Sequence, residues 1–127
     1  MFFSIIIPVF NRPDEIRELL SSISTQDFLD FEVIVVEDGS TVDSEEICLD
    51  FESSLSLCYI FQENSGQGFA RNHGMRKAQG EFFVILDSDV VLPSDYLGKV
   101  FRAIQTRKLD AFGGPDAADS DFSDLQK

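Results

Sequence analysis

The stretch SIIIPVFNRPDEIRELLSSISTQDFLDFEVIVVED, Ser4–Asp38, decides the fold. It opens on an apolar run rich in β-branched residues, Ser4–Val9, and closes on a second, Glu32–Glu37, each the length of a buried strand. Between them, over Pro13–Ser24, Ile16, Leu19, Leu20 and Ile23 recur at i, i+3, i+4 and i+7, which is one apolar helical stripe. Pro13 suits a first helical turn, where its missing N–H is not needed, and Asp14 and Glu15 favour the positive end of the helix dipole. A strand, a helix and a strand in succession imply a right-handed crossover between parallel strands.

The alternation continues outward. Asp43–Glu52 reads as a helix, Leu57–Phe61 as a strand, and Gly68–Gln79 as a helix stopped by Gly80. Phe82–Leu86 is a fourth strand, Pro93 and Ser94 open a helix with Leu97, Phe101 and Ile104 inside, and Ala111–Gly113 is a weak fifth strand. Strands apolar on both faces fit a mostly parallel sheet with helices on both sides, so the expected class is α/β.

The 127 residues suit one compact domain, and 43% hydrophobic with 26% charged residues argues against disorder, collagen and coiled coil. The net charge of −13 is unevenly spread: from Glu18 to Ala70 there are twelve acids and no Lys or Arg. Such a chain has no basic footprint for nucleic acid or an anionic membrane surface. No run approaches the ~20 apolar residues of a membrane span. The opening MFFSIIIPVF lacks the positive start and cleavage site of a signal peptide. Cys48 and Cys58 form no disulfide framework and no zinc spacing, so two reduced structural thiols are expected.

Parallel sheets bind ligands beyond the carboxyl ends of their strands, which directs attention to Asn11, Asp38, Gln62–Gly66 and Asp87–Asp89. Asp87-Ser88-Asp89 places two carboxylates at i and i+2, able to converge on a hard divalent cation that neutralises a diphosphate; taken alone, a solvated turn is the commoner reading, since Asp-x-Asp often occurs by chance. Asp38, with Gly39 allowing close approach, can accept from a base N–H or a ribose hydroxyl, or simply cap a turn. NSGQGFARNHG, Asn64–Gly74, is a Gly-rich turn entering a helix whose free N–H groups suit an anion, with the Arg71 fork beside it; alone it is also an ordinary helix cap. His73 is read as a packed or solvent-facing imidazole.

Together these segments resemble the nucleotide-sugar-binding part of the family 2 glycosyltransferases, with the Rossmann-like GT-A fold. SIIIPVFNR resembles the family's first strand and loop, and EVIVVEDGS its second strand and acidic turn. NSGQGFARNHG matches the pattern Asn-x-Gly-x-x-x-Ala-Arg-Asn-x-Gly at Asn64, Gly66, Ala70, Arg71, Asn72 and Gly74, and GEFFVILDSDVVL carries the Asp-x-Asp element. The resemblance implies that Pro8, Phe10 and Asn11 line a base and ribose pocket and that Asp38 pairs with the base. It also implies that Arg71 approaches the diphosphate, Asp87 holds the ribose or the metal's shell, and Asp89 ligates Mg²⁺ or Mn²⁺. The implied reaction is inverting transfer from a nucleoside-diphosphate sugar to a saccharide or lipid-linked acceptor, as in polysaccharide biosynthesis. The implied location is the cytoplasm, with regions outside this chain able to bring it to the inner membrane face.

Two departures qualify the match. The family's catalytic base lies well beyond the Asp-x-Asp element, and Asp116, Asp119, Asp121 and Asp124 follow the fifth strand too closely to be assigned to it. The base is therefore expected beyond Lys127, the last residue of the sequence. Residues 1–115 are expected to be the donor-binding part, with 116–127 an acidic segment leading toward an acceptor-binding half. Such a fragment is expected to be inactive alone. The second departure is Glu37, where many members have Asp. Three alternatives compete: a non-catalytic nucleotide-binding module, a haloacid-dehalogenase-type phosphatase built on LDSDVVL, and a receiver domain. The second wants its motif after the first strand and a downstream Lys; the third wants a Lys after the fifth strand.

Overall fold

The computed structural model describes residues 1–107. Four strands and four helices alternate: β1 (Phe3–Val9), α1 (Pro13–Ser24), β2 (Phe31–Asp38), α2 (Glu45–Phe51), β3 (Leu57–Gln62), α3 (Gln67–Lys77), β4 (Phe82–Ile85) and α4 (Tyr96–Arg107). All pairings are parallel, in the order β3-β2-β1-β4. The chain steps outward from β1 to β3, then crosses back to lay β4 on the other side of β1. The switch point of the sheet, where a crevice opens, therefore lies between β1 and β4.

All seven residues of β1 are buried, because helices cover both faces. On one face Phe3, Ile5, Ile7 and Val9 meet the α1 stripe, with Cys48 of α2 and Leu97, Val100 and Ile104 of α4 in the same cluster. Each fully buried Ile or Leu contributes roughly 1.5–3 kcal/mol. The other face is thinner, made of Ile6, Ile34, Val36 and Ile85 against Ala70 of α3. Here α3 approaches through small residues. A Cβ on Gly74 would sit 2.6 Å from Ile6 Cγ2, so this glycine sets the spacing between helix and sheet. At the amino end of the sheet Phe2, Phe3, Phe28, Phe82 and Phe101 form an aromatic cluster with ring centroids 4.7–6.1 Å apart, leaving the carboxyl end to polar loops.

The α/β class and parallel sheet stand as expected, with some element ends moved. β4 stops at Ile85, although the Leu86 N–H still reaches Ile6 O at 3.0 Å. Helix α2 starts at Glu45, because the Ser44 N–H is drawn to a Glu37 carboxylate oxygen at 2.8 Å. Helix α4 starts at Tyr96; the Pro93 carbonyl accepts from Gln26 Nε2 at 2.6 Å and the Ser94 carbonyl from Asp27 N at 2.9 Å. Helix α3 spans Gln67–Lys77 and ends on an extended Ala78; Gly80 is packed against Ser4 instead of capping it. The expected strand at 111–113, the acidic segment 116–127 and the catalytic base expected beyond Lys127 all lie outside the described residues.

Candidate functional site

The loops leaving β1, β2, β3 and β4 meet at the carboxyl edge of the sheet and enclose two adjoining clefts. The first, about 330 Å³, is lined by Pro8, Phe10, Arg12, Asp38, Gly66 and Ser88 among others. The second, about 490 Å³, is lined by Arg12, Glu15, Gln67, Arg71, Asp87, Ser88 and Asp89. Arg12, Gln67 and Ser88 border both, so a ligand longer than either cleft can lie across the pair. Six of the seven residues proposed from the sequence are brought to these walls: Pro8, Phe10 and Asp38 in one, Arg71, Asp87 and Asp89 in the other.

Asn11 lines neither. Its backbone is left-handed (φ 53°), and its side-chain Oδ1 accepts from the N–H groups of Thr41 at 2.9 Å and Val42 at 3.0 Å. Asn11 thus ties the loop after β1 to the loop after β2. Its own N–H donates to Ser40 Oγ at 2.8 Å, and Ser40 Oγ–H donates to Glu37. Glu37 is fully buried, yet its carboxylate also accepts from Ser44 Oγ at 2.7 Å and from Tyr59 OH at 3.1 Å. A buried carboxylate without such donors would be strongly destabilising. Its presence is felt nearby. Burial and the Glu37 charge raise the Tyr59 phenol well above its usual range. Burial pushes the Cys48 thiol up to about 12; the Ser44 hydrogen bond opposes this, and the charges of Glu37, Glu52 and Glu45 add to it. Both cysteines are free, Cys48 buried and Cys58 exposed.

Asp38 is 6% exposed and heavily engaged. Its Oδ1 accepts from Gln62 Nε2 at 2.9 Å and Ser65 N at 2.8 Å, and its Oδ2 from Gly66 N at 3.0 Å. Asn64 Nδ2 donates to its backbone carbonyl at 2.9 Å. Burial works against ionisation, but the bonds from Ser65, Gln62 and Gly66 outweigh it and hold the carboxyl below its ordinary range. Asp38 therefore anchors the turn that feeds α3. Gly39 allows it: at φ 70° it lies so close that a Cβ would fall 2.5 Å from Asn64 N.

The second cleft is different. Asp89 is exposed and Asp87 half-buried, and their carboxylates make no hydrogen bond or ion pair with any described residue. No group of three or more His, Cys, Asp or Glu gathers as a metal cage among the described residues. Two hard oxygen donors remain, which suits a divalent cation that takes its other ligands from a diphosphate and water. Arg71 faces them with a buried Nε that has no partner among the described residues, while its Nη2 reaches Gln67 Oε1 at 3.3 Å.

Several contributors lie in or beside the motifs, but their roles there are not read from the sequence. Gln62 and His73 form a chain to Asp38, His73 Nδ1 lying 2.9 Å from Gln62 Oε1. Glu37 looks like a minor variant of its motif, although its parity with Val33 and Val35 puts it on a buried face, where partners are obligatory. Arg12, in the loop between β1 and α1, and Glu15, in the first turn of α1, also line the clefts.

The family model for glycosyl transferase family 2 matches residues 4–127. Among curated relatives, the glycosyltransferase GlyA of Streptococcus pneumoniae is 38% identical over 108 residues, covering 84% of this chain and 16% of that protein. The poly(ribitol-phosphate) β-N-acetylglucosaminyltransferase TarS of Staphylococcus aureus is 38% identical over 103 residues, 78% of this chain and 17% of that one. Among solved structures, S. aureus TarS 1–349 in complex with UDP-GlcNAc superposes with a TM-score of 0.82 at 36% identity, covering 85% of this chain and 32% of that one. The mannosyltransferase PcManGT of Pyrobaculum calidifontis, in complex with GDP-Man and Mn²⁺, gives 0.75 at 29% identity, covering 80% and 32%. The chain thus spans about a sixth of these curated relatives and about a third of these solved chains. With this match over nearly its whole length and the same GT-A architecture, the chain belongs to glycosyl transferase family 2.

Proposed function

We propose that this chain binds the donor, a nucleoside-diphosphate sugar, for an inverting glycosyltransferase acting on a saccharide or lipid-linked acceptor. One observation carries the reading: two adjoining clefts place an apolar and acidic pocket (Pro8, Phe10, Asp38) beside an Arg and two unpartnered carboxylates (Arg71, Asp87, Asp89). That spacing of character matches a nucleoside followed by a diphosphate. Phe10, half exposed, offers a ring face to a base. Oδ2 of Asp38 already takes Gly66 N at 3.0 Å and Asn64 Nδ2 at 3.5 Å, and a base N–H would be a further donor to the same carboxylate. Arg71 supplies a fixed fork for phosphate oxygens. A divalent cation held by Asp89 and Asp87 would neutralise the diphosphate leaving group. The relatives support this choice of ligand, since TarS is seen with UDP-GlcNAc and PcManGT with GDP-Man and Mn²⁺.

In an inverting reaction the acceptor oxygen attacks the anomeric carbon opposite the departing diphosphate, and a base takes the hydroxyl proton. No residue of the two clefts is assigned as that base, which we place beyond Lys127, in a part of the enzyme that this chain does not contain. Nucleoside-diphosphate sugars and free thiols both suit a cytoplasmic setting; no helix among the described residues is long and apolar enough to cross a membrane.

Calorimetric titration with UDP and GDP, with and without Mn²⁺, tests the proposal. Binding strengthened by Mn²⁺ and lost in its metal-dependent part on Asp89→Ala is the expected result. Binding indifferent to both chelator and Asp89→Ala would sink the metal assignment.

A further inference from the structure

After Leu86 the chain leaves the sheet, and residues 87–95 form no helix or strand. The turn that carries Asp87 and Asp89 is closed locally by the Val90 N–H on the Asp87 carbonyl at 3.2 Å, and its place against the rest of the protein is set largely by side chains. The hydrogen bonds show that it is fastened to one side of α1 and the residues just after it. Ser88 Oγ donates to Glu15 Oε1 at 2.8 Å, and Leu92 N to Ser22 Oγ at 3.0 Å. Gln26, itself buried, takes the Pro93 carbonyl on its Nε2 at 2.6 Å and the Leu97 N–H on its Oε1 at 3.1 Å. Asp27 N adds a bond to Ser94 O at 2.9 Å. All but the first of these contacts lie toward the far end of the segment. Among the described residues, only Glu15 bonds to a side chain at the centre of the Asp87-Ser88-Asp89 turn, from the first turn of α1.

We infer that Glu15 is a positioning residue for the metal-binding turn, acting through Ser88. The inference rests on the metal reading of Asp87 and Asp89 proposed above. Two aspartates at i and i+2 on a single hydrogen-bonded turn at the sheet edge have several ways to point, and few bring both carboxylates to one cation. The Ser88 side chain lies between them in sequence. Pinning its hydroxyl to a residue on a rigid helix limits the backbone rotations on which both aspartate directions depend. The Glu15 side chain is 37% exposed, and its Oε1 lies 4.0 Å from Nε of the more exposed Arg12. It lines the same cleft as the aspartates, so its carboxylate adds negative potential there while its hydrogen bond supplies geometry. What Glu15 does for Ser88 needs only an acceptor, and a Gln amide oxygen provides one.

The test separates metal from nucleotide, and geometry from charge. Mn²⁺ affinity is read by the electron paramagnetic resonance of free Mn²⁺, in the presence of UDP and, separately, GDP, on the full chain. Metal-free nucleotide affinity is read by calorimetry. Glu15→Ala and Ser88→Ala should each weaken Mn²⁺ binding about tenfold, in the range typical of groups that orient metal ligands. Their double variant should be no weaker than either single one, because both remove the same bond. Glu15→Gln should hold Mn²⁺ within about threefold of the parent, since it keeps the acceptor. Metal-free nucleotide affinity should not fall in Glu15→Ala or Glu15→Gln, which only remove a negative charge from the cleft proposed for the diphosphate. If Glu15→Ala does not fold, as judged by circular dichroism, Ser88→Ala carries the same expectation for Mn²⁺, and Glu15→Gln keeps the metal-free nucleotide control. Unchanged Mn²⁺ affinity in the alanine variants, with Asp89→Ala still abolishing it, overturns the role of Glu15 and leaves the metal site standing. A parallel fall in metal-free nucleotide affinity marks a general structural role and also overturns it. Absence of Mn²⁺ binding by the parent chain overturns both readings.

Discussion

Asp38 and Asp89 are the same residue type at the carboxyl end of the same parallel sheet, yet the protein treats them in opposite ways. Asp38 is almost buried, and three N–H groups from the end of β3 and the loop after it converge on its carboxylate. Asp89 is exposed, and its carboxylate accepts from no described residue. One carboxylate builds the wall of a cleft; the other is left open for what enters it. A carboxylate whose acceptor sites are occupied has lost most of its capacity for a cation, whereas an unoccupied one at a water-filled edge retains it.

The contrast can be broken by exchanging readouts. Asp38→Ala should destabilise the fold by roughly 3 kcal/mol in urea unfolding, because it strands buried donors of Ser65, Gly66 and Gln62. Asp89→Ala should stay within about 0.5 kcal/mol, as exposed substitutions usually do, while removing the Mn²⁺-dependent part of nucleotide binding. Equal stability losses in the two variants would erase the distinction. A milder probe is Gly39→Ala, which leaves every Asp38 donor in place but adds a Cβ at φ 70° against Asn64. We expect a loss of about 2 kcal/mol from strain and the displaced turn, read as a lower urea midpoint. A midpoint matching the parent would show that the turn can shift freely, and the Asp38 anchor would then matter less than its geometry suggests.

The smallest effect is a pH dependence. The folded-state pKa of Asp38 is lowered from its ordinary 3.8, so the unfolded chain takes up this proton first as pH falls. Its stabilising contribution is complete above that ordinary value and is lost as pH drops through the folded-state value. Thermal melts of the parent and of Asp38→Asn should therefore differ in slope below about pH 4 and run parallel above about pH 5. Parallel slopes throughout would mean that the carboxylate gains nothing from its partners.

How much of this is legible in the sequence depends on the range of the interactions. The stripe of α1 is readable because Ile16, Leu19, Leu20 and Ile23 all face one core cluster at helical spacing. Helix α3 shows no such stripe, since its buried contacts are Ala70 and Gly74; its entry motif and glycines locate it instead. The start of α4 is misread because Pro93 and Ser94 look like a helix opening, while their carbonyls are taken by Gln26 and Asp27. Pro8, Phe10, Asp38, Arg71, Asp87 and Asp89 come to one edge as the motifs imply. Asn11 stands on neither cleft wall, because its side chain closes the neighbouring loop.

By itself the sequence determined the order of strands and helices, the parallel character of the sheet and the family. These follow from periodicities and motifs that span a few residues each. The tertiary structure alone decided which acids are construction and which are open. Glu37 takes Tyr59 across the sheet beside its nearer partners Ser40 and Ser44, Asp38 is satisfied by residues 24–28 positions away, and Ser88 by Glu15, 73 positions earlier. A hydrogen bond has no periodicity to read; its partner is set by where the crossovers return the chain, and only the folded sheet brings those ends together.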